Sequence, residues 1–156
     1  MNHGLWKHED QARNIKSLDG IVREAKKNID YFNQLRSDTI RKIDFNLIML
    51  LKNSESNDLE RYISESPGMF IDRLSIMYIR RFEVRNLLLR ISKDKGDSDL
   101  FDIYEHKLRV IEDIVSFDGN YLETLFAKIK SGAAYYRMFN AVKIYNDPRI
   151  GKYINN

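Results

Sequence analysis

Apolar residues recur along the chain in steps of three and four, the period of a helix that keeps one face against a neighbour. The clearest stripe runs Val22, Ala25, Ile29, Phe32, then Ile40, Ile43, Leu47 and Leu50, and predicts a long helix over about 18–52. Ahead of it, Trp6, Ala12 and Ile15 predict a short helix over 5–14, with Ser17 and Asp19 as caps for the helix that follows. A polar run over 53–58 breaks the pattern, and a short helix over 59–65 is expected next. Ser66-Pro67 is a helix start, serine as cap and proline at the first helical position.

The third long helix, over 67–92, is expected to bury Phe70, Ile71, Leu74, Tyr78, Phe82 and either Leu88 or Leu89. Lys-Gly-Asp-Ser within 93–98 is a loop. A fourth helix, over 99–117, is expected to bury Leu100, Ile103, Tyr104, Leu108, Ile111 and Val115. Phe117-Asp118-Gly119 reads as a turn. A fifth helix starts near 120 and runs as far as 145, with Gly132 as a weak point, before Asp147-Pro148 ends it. Long helices joined by short loops predict an all-α fold, an up-and-down bundle of four to five helices forming a single domain over 1–156.

Composition narrows the chemistry. With 156 residues the chain buries a core without staples, and it has no cysteine, so a disulfide framework, a thiolate zinc site and a cysteine nucleophile are all excluded. The net charge of +3 is spread over alternating acids and bases, and no zinc-finger or RNP-like signature is present; nucleic acid is not an expected partner. No apolar run reaches the roughly 18 residues of a membrane span. The first residues lack the pattern of a signal peptide, so the expected compartment is the cytoplasm. Three histidines, no Gly-rich phosphate loop, no Gly-x-Ser-x-Gly and no His-Glu-x-x-His leave carboxylates, arginines, Lys143 or Tyr145 to carry any catalysis.

The patterning is most informative where it is violated. The second helix steps from Phe32 to Arg36 before its stripe resumes at Ile40. A charge there must meet a buried acid that fixes the packing, or must face a polar cavity and its ligand, because burying it alone costs several kcal/mol. Asn33 shares that side of the helix. On the first helix Glu9 and Arg13 have the spacing of a surface ion pair, and Asp10 lies four residues from Trp6, an aromatic face beside a carboxylate. His3, His8 and Glu9 do not form a recognised metal pattern, so no metal ligands are assigned. Asp72 is read as a first-turn acid favoured by the helix dipole. Arg73, Arg80, Arg81 and Arg85 add positive charge to the same helix, the last two at a spacing that suits a phosphate or plain solvation.

Four segments, taken in order, carry a resemblance. They are Leu5-Trp6-Lys7-His8-Glu9-Asp10-Gln11-Ala12-Arg13, Asn33-Gln34-Leu35-Arg36-Ser37-Asp38 running on to Ile43-Asp44, Pro67-Gly68-Met69-Phe70-Ile71-Asp72-Arg73-Leu74-Ser75-Ile76, and Lys143-Ile144-Tyr145-Asn146-Asp147-Pro148. Together they resemble the bacterial family of unknown function numbered 4254, whose members are small helical proteins often encoded near surface-polysaccharide and glycosyltransferase genes. Where that family continues its third motif with a lysine and then a histidine, this chain has Arg80 and Glu83.

The resemblance implies a role in bacterial surface glycan biosynthesis, with a phosphorylated sugar or nucleotide-sugar as ligand. Glu9, Asp10 and Asp72 are then the candidate acid/base groups, with Mg²⁺ as a candidate cofactor. Trp6, Arg13, Asn33, Arg36, Arg73, Lys143, Tyr145, Asn146 and Asp147 are the candidate ligand contacts, the arginines for phosphate and the aromatic rings for stacking. The alternative is a non-catalytic helical module docking on a glycosyltransferase or other partner, in which Arg36 pairs internally with Asp10 or Asp72.

Overall fold

A computed structural model describes residues 1–13, 19–51, 57–93, 97–138 and 140. It contains four α-helices, α1 (Asn2–Arg13), α2 (Asp19–Leu51), α3 (Pro67–Lys93) and α4 (Ser98–Lys130), with a short 3-10 turn, Leu59–Arg61, between α2 and α3. Consecutive helices pack on one another, and α1 also touches α3. Cross-helix contacts run in opposite directions along each pair. Arg36 meets Asp72 while Asp44 meets Gly68, and Arg73 meets Asp118 while Arg85 meets Glu112. The protein is therefore an up-and-down all-α bundle, as the hydrophobic period predicts. Ser17 and the side chain of Asp19, the expected caps of α2, lie outside the described residues.

Local chemistry sets the starts of α3 and α4 and the end of α4. Ser66 Oγ accepts from the Met69 amide at 3.3 Å, and Asp97 accepts from the Leu100 amide at 2.9 Å, so each caps the helix that follows it. At the far end of α4, Gly132 takes φ +74° and its amide bonds back to Ile129. A left-handed residue of this kind closes a helix, and glycine adopts it without strain. The expected continuation to 145 is therefore cut at Lys130. Just past the turn, Tyr135 pairs with the segment at Tyr62 through Ile63 N–H to Tyr135 O and Tyr135 N–H to Arg61 O, both 2.9 Å. That pairing also halts the expected helix over 59–65 after a single 3-10 turn.

The predicted turn at Phe117-Asp118-Gly119 does not form; α4 runs straight through it. Tertiary pairing overrides the local signal. Leu108, Ile111, Val115, Asp118, Leu122, Leu125 and Ile129 continue one stripe in steps of three and four, and Asp118 is buried on it against Arg73. Gly119 faces open space, where a helix tolerates it for about 1 kcal/mol.

The core gathers where the C-terminal ends of α2 and α4 meet the start of α3. Phe70, Leu125, Ile129, Ala134 and Tyr136 are buried there, with Leu47, Leu51 and Tyr121 packed around them. Each large aliphatic side chain so buried contributes roughly 1.5–3 kcal/mol. Elsewhere the stripes are less covered than expected. Leu50, Tyr78, Phe82, Leu100 and Ile103 are exposed, because α3 and α4 have apolar faces that no described helix covers, while of the pair Leu88 and Leu89 the first is buried.

Candidate functional site

The charge that interrupts the α2 stripe finds an acid on α3. Arg36 Nε donates to both carboxylate oxygens of Asp72, at 3.0 and 2.8 Å, and its Nη2 reaches Asp72 Oδ2 at 2.8 Å. Asp72 is 8% exposed, so this bidentate pair works in a partly dry setting where charge-assisted bonds are strongest. Asn2 Nδ2 adds bonds to Asp72 Oδ1 at 3.0 Å and to Ser75 Oγ at 2.7 Å, which pins the start of α1 to α3. Asp72 is thus a clamp between helices and lies past the first turn of α3, where no acid is found.

The carboxylate at the start of α3 comes instead from α2. Asp44 is 0% exposed and accepts from Ser66 Oγ at 2.6 Å and from the Gly68 amide at 2.7 Å. A negative charge there offsets the positive end of the helix dipole. The approach is so close that a Cβ on Gly68 would sit 2.6 Å from the Ile40 carbonyl and 2.7 Å from Asp44 Oδ1. Glycine at 68 is what lets the two helices meet.

One turn along α3, Arg73 ties three segments together. It forks onto Glu65 with two bonds of 3.1 Å, reaches Asp118 of α4 at 2.5 Å, and lies 4.6 Å over the Phe70 ring. The hydrogen bonds to Glu65 raise its guanidinium pKa, Asp118 adds to the shift, and burial opposes it. Arg85 pairs with Glu112, and Arg81 lies 5.1 Å over the Tyr78 ring, so the phosphate-flanking role read for that pair has no support in their contacts.

Hollows open along the exposed front of α3. The first, of about 590 Å³, lies between α2 and α3 and is lined by Asn33, Arg36, Ser37, Asp72, Arg73 and Arg80 among others. A second, of about 280 Å³, lies against α1 and is lined by Trp6, Glu9, Asp10, Arg13 and, again, Arg80. Ile76 and Arg80 belong to both, so the two are halves of one trough floored by α3.

The sequence-predicted residues divide between these halves. Asn33, Arg36, Asp72 and Arg73 share the first. Trp6, Glu9, Asp10 and Arg13 share the second, where Glu9 and Arg13 form the expected ion pair at 3.2 Å. Glu9 and Asp10 are therefore not gathered with Asp72 in one hollow. Lys143, Tyr145, Asn146 and Asp147 lie outside the described residues. Among the described residues no three His, Asp or Glu side chains gather as metal ligands, and Asp72 and Asp118 already carry arginine. That arrangement gives Mg²⁺ no ready set of free carboxylates.

The residues that sequence reasoning did not select are Asp44, Glu65, Asp118 and Arg80. Asp118 had a signal, as a charge on an apolar stripe. Arg80 shows in the sequence only as one more charge on α3 and as a departure from the resemblance, because its interest lies in what is missing around it. Among the described residues no acid pairs with it, and its polar contact is a long one, 3.9 Å to Met77 Sδ.

A family model described as a protein of unknown function (DUF4254) matches residues 1–137. The chain belongs to the DUF4254 family. No curated protein and no solved structure matches it. The match takes in the Leu-Trp, Asn33–Asp38 and Pro67–Ile76 motifs of this DUF4254 chain, and with them the whole trough, while Lys143 to Pro148 lies beyond it. No helix among the described residues is long and apolar enough to cross a membrane.

Proposed function

We propose that the trough is an anion-binding site for a phosphorylated sugar or nucleotide-sugar of bacterial surface glycan biosynthesis, with Arg80 as the guanidinium that meets the phosphate. The observation that carries this is the position of Arg80. It stands where the hollows meet, and it is the arginine of the first hollow without a carboxylate among the described residues. Of the hollow's three guanidiniums, Arg36 is held by Asp72 and Arg73 by Glu65 and Asp118, which leaves Arg80 as the one to meet a phosphate. Asn33 and Ser37 offer hydrogen bonds to hydroxyls, and Trp6 offers a ring face in the adjoining half. Arg36 and Arg73 then act as clamps that fix the walls, and their acids are committed to that task. Asp72 holds Arg36 and Glu9 holds Arg13, which leaves Asp10 as the candidate acid without an ion pair among the described residues.

Thermal unfolding with glucose 1-phosphate and with a uridine-diphosphate sugar tests this. A ligand at a hundred times its Kd stabilises the folded state by about 2.7 kcal/mol, which is a clear rise in Tm. Arg80→Gln should abolish the rise and leave the ligand-free Tm in place. A flat response of the unmodified chain to both compounds would count against the reading.

A second reading, a helical module docking on a glycosyltransferase or other protein, is favoured by a separate observation. Phe45, Met49 and Leu50 of α2 and Leu59 of the following turn are more than half exposed. Exposed apolar side chains of that size are what a protein contact would cover.

A further inference from the structure

The trough does not end at Arg80. Past it, a groove of about 690 Å³ opens between α1, α3 and α4, within the roughly 300–1,000 Å³ of small-molecule sites. Its walls are Trp6, Val84, Leu87, Val110, Ile111 and Ile114, and it shares Met77 and Arg80 with the polar hollow. Val110 and Ile114 are more than a third exposed and have no described neighbour to cover them. The rim is cationic on balance. Arg80 stands on one side and Lys107 on the other, its ammonium 4.4 Å over the Tyr104 ring, and the single acid is Glu83, with His3 at 4.0 Å. Apolar groove, a guanidinium unpaired among the described residues and polar hollow thus follow one another along α3.

We infer that the ligand is an anionic amphiphile, with an apolar chain along the Val84–Ile114 groove, a phosphate at Arg80, and a hydroxyl-rich head toward Asn33 and Ser37. This rests on the anion-binding reading above and adds the tail. A plain sugar phosphate would leave the apolar half of the trough wet, and a neutral lipid would leave Arg80 without a counter-charge. The order of the three surfaces matches a phosphate placed between tail and head.

Trp6 is the single tryptophan of the chain and lines the groove, so its fluorescence reports occupancy directly. The full chain is titrated with octyl phosphate, butyl phosphate, octyl glucoside and glucose 1-phosphate, all kept below micelle formation. Each methylene fully buried tightens binding about fourfold, and half-burial in an open groove about twofold. Octyl phosphate, longer by four methylenes, should therefore bind about sixteenfold more tightly than butyl phosphate and shift Trp6 emission to the blue. Arg80→Gln should weaken octyl phosphate about tenfold at unchanged Tm. Equal affinity for octyl and butyl phosphate, with glucose 1-phosphate still bound through Arg80, overturns the tail and leaves the sugar-phosphate reading standing. Octyl glucoside binding as tightly as octyl phosphate, with no effect of Arg80→Gln, overturns the phosphate seat. Co-sedimentation with phosphatidylglycerol vesicles without binding of monomeric octyl phosphate overturns the discrete site. No binding of any phosphate probe sinks both this inference and the reading it rests on.

Discussion

Asp44 and Asp72 are carboxylates on opposite sides of the same α2–α3 seam, and they are held in different ways. Asp44 is fully dry, set into the start of α3 by a hydroxyl and a backbone amide, with the core around Leu125 and Ile129 close by. Asp72 lies about one helical turn further along α3, held by the fork of Arg36, on the wall of an open trough. The first end is closed on all sides by packing. The second has satisfied walls and an unsatisfied floor, since Arg80 lies between them without an acid among the described residues. A bundle closed at one end and open along α3 assigns stability to the first region and leaves the second free to bind.

The largest effect should come from the closed end. Asp44→Ala removes the acceptor of two charge-assisted bonds and leaves the Ser66 hydroxyl and the Gly68 amide buried without it. The expected loss is about 3–5 kcal/mol, read as a lower urea midpoint with an unchanged m-value. An m-value that falls along with the midpoint would mean that the end is not a dry, cooperative knot, and the contrast with the trough would disappear.

Arg36→Ala should come next. Asp72 keeps Asn2 and gains water from the trough, so the cost is about 2–3 kcal/mol, below that of a fully buried pair broken from one side. Urea unfolding of this variant beside Asp44→Ala makes the comparison directly. A loss larger than that of Asp44→Ala would show that the trough wall, and not the buried end, holds the bundle together.

The legibility of these parts from sequence follows the same division. The helices could be read because their stripes are periodic, and α1, α2 and α3 come within a few residues of their expected bounds. Arg36 could be read because a charge that replaces an apolar residue in a stripe must be answered by something. Asp118 breaks its stripe in the same way, but the Asp-Gly pair gave a turn signal strong enough to hide it. Asp44 could not be found, since its partners are a hydroxyl and an amide more than twenty residues away that leave no periodic trace. Arg80 could be seen as a departure from the family pattern, and its isolation from acids exists only in three dimensions.

The smallest effect belongs to Tyr136, and it probes the dryness of the closed end by itself. Its hydroxyl donates to the Asp44 carbonyl at 2.9 Å, and the side chain is buried in the core. Burial, reinforced by the nearby Asp44 carboxylate, pushes the phenol up from 10.0 to about 12. The folded chain therefore holds this proton more tightly than the unfolded chain does. Its contribution to stability is complete below about pH 10 and is lost as the pH climbs through about 12. Tyr136→Phe deletes the hydrogen bond and should cost about 1 kcal/mol at neutral pH. It should also flatten the alkaline slope, so that the two proteins converge in stability between pH 10 and 12. The measurement is urea unfolding of both proteins at matched pH values through that window. A gap that stays constant with pH would mean that water reaches the phenol in the folded state, which a closed end does not allow.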